Sequence, residues 1–459
     1  WTLLSYNSRF QEISRKLISL RSQVPVKAKL TVVIFTVILN SSAFANSNPP
    51  SINAVDNAHA SKFAKLQVQD QNGRIKPMNS LSNEILRKIS KKENLFNLNA
   101  DQIILGMMTF PEIWANMKVI HTGRNPELKK LLNINDNMLS YNDFFKPQYI
   151  LEDAVMKAYN REPRDRGTLE KDIIKLDEKI NICNLVYSGR LMQWFPVPND
   201  NNNSWVSPND PHSDQINNVS REYTDKFYVP YINSIREAVG NKNWKQADLR
   251  LADILKLQQQ YGQNILMSNT KINLEILLNK LNVFRRLTSI YGMIGLLILI
   301  LFFVSVFTHK LNLTLTFKVV NLFLGLAFIF HLLGLGLRWY VSGRAPWSNG
   351  YESMIYIAFT TMLSGLIFSR KSLGGLAAAS ILASTILMVA GLSWMDPEIT
   401  PLVPVLKSYW LTIHVSMEAG SYGFLTLGAL IGVLNLILMI FKNVKNGERI
   451  NQTIKELTL

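Results

Sequence analysis

Apolar residues gather into long runs at positions 30–45, 287–308, 319–337, 354–368, 373–394 and 409–441 of this 459-residue chain. A helix needs about 20 mostly apolar residues to cross a hydrocarbon layer. The last five runs come close to that length, with 354–368 borrowing residues 351–353 to do so. Between the first two runs the chain is polar, with helical periodicity in SLSNEILRKI, in EKDIIKLDEKINICNLVY and over 222–286. Breaks rich in Asn, Pro and Ser, above all VPNDNNNSWVSPNDP, separate these stretches, and no strand alternation persists. The pattern predicts an all-α fold, a polytopic membrane helix bundle joined to a large helical domain.

Charge sets the direction of the bundle. Lys and Arg favour cytoplasmic loops. Lys310 and Lys318, then Arg370 and Lys371, then Lys442, Lys445 and Arg449 fall on one side. The opposite loops mix Arg338, Arg344 and Lys407 with Glu352, Asp396 and Glu398. This assigns 1–29 to a basic cytoplasmic segment, 30–47 to a transmembrane or signal-like segment and 48–286 to an extracytoplasmic helical domain. Residues 287–441 form a membrane bundle of five helices, and 442–459 a cytoplasmic tail. Residues 30–45 follow six basic residues and end in Ala43-Phe44-Ala45, which fits a cleaved signal peptide or an uncleaved span. Trp1 in place of Met favours a span within a longer product.

The formal charge of +16 is spread along the chain without a basic stripe, so no nucleic-acid partner is expected. Cys183 is the sole cysteine, which excludes an internal disulfide, a CxxC pair and a CxxCH heme-attachment motif. In the polar domain no nucleophile elbow, phosphate loop or paired carboxylates stand out.

From residue 287 onward every Trp and Tyr falls at the outward end of a span: Tyr291, Trp339, Tyr340, Trp347, Tyr351, Tyr356, Trp394, Tyr409, Trp410 and Tyr422. Belts of aromatic residues normally form at both interfaces. Their confinement to one side points beyond anchoring, to an outward pocket with π surfaces for a flat apolar ligand. If Phe441 marks the inner boundary, about 20 residues of helix reach only to Tyr422, leaving His414 roughly 12 Å higher. There it can serve as an axial heme ligand or as an interfacial histidine bonded to headgroups. Glu418, one turn along, can hold the imidazole through water or snorkel. His331 lies inside a span, a functional candidate or a side chain satisfied by a neighbouring carbonyl. Its depth is too far from that of His414 for both to ligate one iron. His309 sits at the inner edge, and His59, His121 and His212 lack metal-ligand spacing.

The loop RWYVSGRAPWSNGYES resembles that of the CcsA/ResC-type, system II cytochrome c synthetase family: Arg-Trp, Ser-Gly-His, Pro, then Ser-Asn-x-Tyr-Glu-Ser before a span. YWLTIHVSMEAGSYGFLTLGA resembles the outward histidine of that family at a helix head. NGRIKPMNSLSNEILRKI and LLNKLNVFRRL are similar to the domain fused ahead of this module in its single-chain branch. The resemblance covers most of 60–440.

It implies cytochrome c biogenesis, with heme b as substrate, delivered to and covalently attached on the CxxCH segment of apocytochrome c. This is a heme lyase activity at the periplasmic face of a bacterial inner membrane, with thiol-reducing proteins and membrane lipid as further partners. His414 would be the first of two outer heme ligands. Trp339, Trp347, Asn349, Tyr351, Glu352 and Trp410 would form the outward wall, with Asn349 and Glu352 bracing the loop; turn chemistry and belt anchoring are the alternative for the loop residues. Arg344 stands where the family usually has His, so the role of that histidine does not transfer. The family's Trp-rich platform and second outer histidine are expected beyond the last span, so these 459 residues should bind heme weakly or not at all by themselves. Glu418 and His331 remain secondary candidates. The competing class is a membrane-anchored assembly or docking protein without heme of its own. A permease would need inverted repeats and broken helices, which the sequence does not show.

Overall fold

A proline opens the first helix that matters for the site. In this computed structural model, which describes residues 55–146, 148–208, 214–263, 265–307, 314–369, 372–392, 395–402, 408–442 and 446–458, a short ribbon pairs Gln67–Gln69 with Ile75–Pro77. Its turn needs Gly73 at φ +79°, a left-handed conformation open to glycine. Pro77 then starts helix α1 (Met78–Ser90), whose Met78, Leu81, Ile85, Leu86 and Ile89 are buried at three- and four-residue spacing. That period puts one stripe inward and leaves Glu84, Arg87 and Lys88 on the other faces. Beneath α1 lie the helix Ala100–Thr109, closed by an Asn99/Gln102 capping box, and the long helix Thr168–Tyr187.

The structure is helical with short two-stranded antiparallel ribbons among the described residues, in agreement with the all-α reading. The ribbons escaped periodicity because strands of two or three residues are too short to alternate detectably. The apolar run at 30–45, together with His212, His309, Trp394 and Lys407, lies outside the described residues.

Helix α2 (Asn269–Leu281), capped by Ser268, ends at Asn282 with φ +44°. Asparagine tolerates this left-handed geometry better than other side chains with a Cβ. The turn re-aims the chain into α3 (Val283–Phe307), followed by α4 (Thr314–Ser342), α5 (Gly350–Phe368), α6 (Leu373–Ala390) and α7 (Tyr409–Ile440). Five helical segments, the first being Asn269–Val306, are long and apolar enough to cross a membrane. The helices extend beyond several of the apolar runs because their polar ends keep the same backbone geometry; α6 instead stops short, at Ala390.

Lipid removes the usual hydrophobic drive between helices, so close approach through small residues does more of the packing. At Gly295 of α3 an added Cβ would lie 2.8 Å from Ile381 Cγ1 and 2.9 Å from the Ile381 nitrogen in α6. Ser384 fixes the same pair by donating to the Thr288 carbonyl at 2.7 Å. At Gly423 of α7 an added Cβ would meet the Thr361 nitrogen at 2.7 Å and the Ile357 carbonyl at 3.0 Å, which sets α7 tightly on α5. Residues read from sequence only as a tail form α8 (Gly447–Thr458). Its buried Ile450 and Leu457 pack with Phe302 and Val306 of α3 and with Leu434 and Leu438 of α7. The polar part and the helix bundle belong to one compact unit.

Candidate functional site

Helix α4 ends at Ser342, and Gly343 at φ +69° turns the chain out of it. Four residues after Ala345, Asn349 caps α5, its side-chain oxygen accepting the Glu352 N–H at 2.8 Å. This fixes Glu352 at the third helical position, but its carboxylate does not reach back to the cap. It is fully buried and faces two cations instead. Arg338 donates through Nε at 3.0 Å to Oε1, Arg344 donates through Nη1 at 2.6 Å to Oε2, and the Ser348 N–H adds a bond of 3.0 Å to Oε2. Charge-assisted bonds of this kind are the strong ones, and a buried carboxylate needs them.

Both arginines then reach across to the 395–402 loop. Arg338 donates through Nη1 to the Pro397 carbonyl at 2.9 Å and through Nη2 to the Glu398 carbonyl at 3.0 Å. Arg344 donates twice to the Thr400 carbonyl, at 2.9 and 3.2 Å. The Arg338 guanidinium also lies 5.2 Å from the Tyr351 ring centroid, and Tyr351 packs edge-on to Phe284. One carboxylate therefore ties together the end of α4, the start of α5 and a second loop. Glu398 adds a contact to the polar domain, its Oε1 accepting from Arg87 of α1. Burial raises the Glu398 carboxyl to about 7 against the pull of Arg87, whereas Glu84 on α1 overcomes its own burial through Lys76 and Lys88 and falls to about 2.

Trp347 connects this knot to α7. Its indole N–H donates to the Thr412 carbonyl at 3.2 Å, and its ring lies 4.8 Å from Tyr356 and 5.5 Å from Trp339. Between the loop and α7 is a cleft of about 310 Å³, lined by Trp347, Asn349, Ser353, Leu411, Thr412 and Val415 among others. His414 is not one of its lining residues, although Thr412 and Val415 on either side of it in sequence are. Its side chain is 73% exposed, and its Nε2 is 3.7 Å from Glu418 Oε2, beyond hydrogen-bond reach. Glu418 instead accepts from the Tyr422 hydroxyl at 3.1 Å. His414 is nine residues from Gly423, half a revolution around the helix, so it points away from the face packed on α5.

The six wall residues named from sequence do not share one surface. Trp347 and Asn349 line the cleft, while Tyr351 and Glu352 turn inward. Trp339 is half-exposed beside Trp347, and Trp410 is 76% exposed. His331 is fully buried, with Nε2 donating to the Ile355 carbonyl at 3.1 Å and Phe284, Tyr291 and Phe359 around its ring. Of the two readings open to it, this geometry is that of a histidine satisfied by a neighbouring helix carbonyl. No group of three or more His, Cys, Asp or Glu side chains suited to a metal ion occurs among the described residues. Arg338, Arg344 and Glu398 are the organising residues that sequence reasoning passed over. Arg338 and Arg344 share a short loop with the acid Glu352, but Glu398 comes from a separate loop and nothing local in the sequence links it to them.

The family model described as cytochrome C assembly protein matches residues 347–458, from Trp347 through the His414 helix and α8. Protein NrfI of Wolinella succinogenes is 37% identical over 389 residues, which is 83% of this chain and 42% of NrfI. The chain is a CcsA-type family member. Cytochrome c biogenesis protein CcsA of Trieres chinensis is 36% identical over 115 residues, 24% of this chain and 36% of that protein. CcsA of Prochlorococcus marinus strain MIT 9303 is 36% identical over 119 residues, 25% of this chain and 37% of the relative. The chain thus spans less than half the length of these relatives. Family membership and the five long apolar helices together make this CcsA-type chain a multi-pass membrane protein.

Proposed function

We propose that the chain takes part in cytochrome c maturation, with heme b as substrate and His414 as an axial ligand to its iron. The observation that carries this reading is the state of the imidazole. It is raised on the polar-domain end of α7, open to the surroundings, and among the described residues no side chain occupies its ring nitrogens at hydrogen-bond distance. A structural histidine inside the same bundle looks different, as the enclosed His331 does. Neutral imidazole is a common heme ligand, and the neighbouring indole and phenol rings offer flat apolar surface to a porphyrin.

On this reading the polar domain faces the periplasm of a bacterial inner membrane, and apocytochrome c brings its CxxCH thiols to the same face. Adding a thiol S–H across a heme vinyl group forms a thioether and moves the proton to the vinyl carbon, so the bond itself needs no oxidant. Reduced thiols are needed, which makes thiol-reducing proteins natural partners. The part of His414 is to hold the iron, and so the ring edge, while the thiols approach; Trp347 and Asn349 form the adjoining wall. The test is heme absorbance of membranes from cells expressing the full-length protein. With His414→Ala, bound heme and holocytochrome c should both fall by about tenfold or more, the effect of losing one iron ligand. Unchanged values for both would refute the assignment.

A further inference from the structure

A line of contacts runs from the polar domain to the head of α7. Arg87 on α1 pairs with Glu398, whose carbonyl accepts from Arg338 at 3.0 Å. Arg338 and Arg344 share the Glu352 carboxylate, which also accepts the Ser348 N–H at 3.0 Å. The next residue toward the N-terminus, Trp347, donates to the Thr412 carbonyl at 3.2 Å, two positions from His414. Each link is made of buried or half-buried groups, and the first is the more open, with Arg87 36% exposed at its side chain and Glu398 14%. The first link is also the one that joins a helix of the polar domain to the bundle loops.

We propose that Arg87 is a positioning residue for His414, acting through Glu398 and the two-arginine knot; the proposal rests on the reading of His414 as heme ligand. The physical reason is that the buried residues of α7 begin at Ala419 and Gly420, and Gly423 then seats it tightly on α5. Above that point its first three turns carry Trp410, His414 and Glu418 exposed, and the Trp347 bond is what ties this end to a loop. The loop is in turn as fixed as the 395–402 segment against which both arginines brace. Arg87 closes that segment from the other side. The other charges around Glu398 are Glu84, Asp396 and Lys76, and Lys88 lies next to them, paired with Glu84. Arg87 is the cation in direct contact with its carboxylate, and Arg338 meets its backbone carbonyl.

The experiment uses full-length protein in membranes and reads heme per protein molecule together with the position and width of the heme absorbance bands. Arg87→Ala and Glu398→Gln should each lower heme per protein by about threefold to tenfold, the scale of one partly buried ion pair. They should also broaden or shift the bands, because the iron then meets a spread of imidazole orientations instead of one; Arg87→Lys, which keeps the charge, should recover most of the signal. If His414→Ala loses heme while Arg87→Ala and Glu398→Gln match the parent in both readings, the positioning role is wrong and the ligand assignment survives. If His414→Ala itself has no effect, the ligand assignment fails first. A fall in protein amount with unchanged heme per molecule also overturns the proposal, since the pair would then be a folding contact only.

Discussion

Glu352 lies between two guanidinium groups with no contact to solvent, so removing its charge strands Arg338 and Arg344 in a buried setting without an anion. Breaking one partner out of a buried ionic cluster costs about 3–5 kcal/mol, more than the cluster contributes in comparison with an apolar replacement. Glu352→Gln keeps the shape and should lower the thermal unfolding midpoint of the detergent-extracted protein by several degrees; an unchanged midpoint would mean the arginines find other partners. At this scale the sequence was half legible. The family resemblance implied a bracing role for Asn349 and Glu352, while the cap bond from the Glu352 N–H to Asn349 was not read. The partners of Glu352 stayed hidden, since Arg338 is fourteen residues away, and so did the Pro397, Glu398 and Thr400 carbonyls that accept from the two arginines, with no periodicity linking them.

Among the elements, α7 divides into two parts with different support. Its lower part packs on α5 through Gly423, and its upper part is tied sideways by Trp347. A larger side chain at 423 must push against backbone atoms of Ile357 and Thr361, which cannot rotate away. Gly423→Val should therefore separate α5 from α7 and destabilise the bundle by about 1–3 kcal/mol, as overpacking does. The check is a lower midpoint of thermal unfolding in detergent, and a midpoint at or above that of the parent would show that the helices can part without loss. The presence of α3 to α7 as long helices was readable because a long apolar run leaves few alternatives, while their polar ends were not. Helix α8 was not read, because its two buried residues, Ile450 and Leu457, are seven apart in a polar setting. Only the surfaces of α3 and α7 reveal what they cover.

Across the whole molecule, Glu398 joins the polar domain to the bundle, and two effects on it depend on pH in opposite directions. Burial raises its carboxyl from an ordinary 4.5 to about 7, so between those values the folded protein holds a proton that the unfolded chain releases. Stability from this group is therefore present below about 4.5 and declines as pH rises toward 7, by about 3 kcal/mol in total. Glu398→Gln should flatten that part of the pH–stability curve, measured by denaturation of the extracted protein at pH 4.5 to 8. Attraction to Arg87 runs the other way, since it needs the ionised carboxylate. The deficit of Arg87→Ala relative to the parent should thus open as pH increases through about 7, and a deficit constant across that range would contradict the assignment of Glu398. This interdomain contact could not be read from the sequence, because both residues are ordinary surface types until the fold brings them together.

The left-handed turn at Asn282 has a mechanical result. Helix α2 rests on α4, and a Cβ at Gly334 of α4 would come within 2.7 Å of Val283 Cγ1, just past the turn. With a water-facing stem wedged there, the first span has no freedom to slip along its axis to suit bilayers of different thickness. Lipid of mismatched length must then thin or swell around the protein, and the penalty falls on the surrounding acyl chains rather than on the register of the helices.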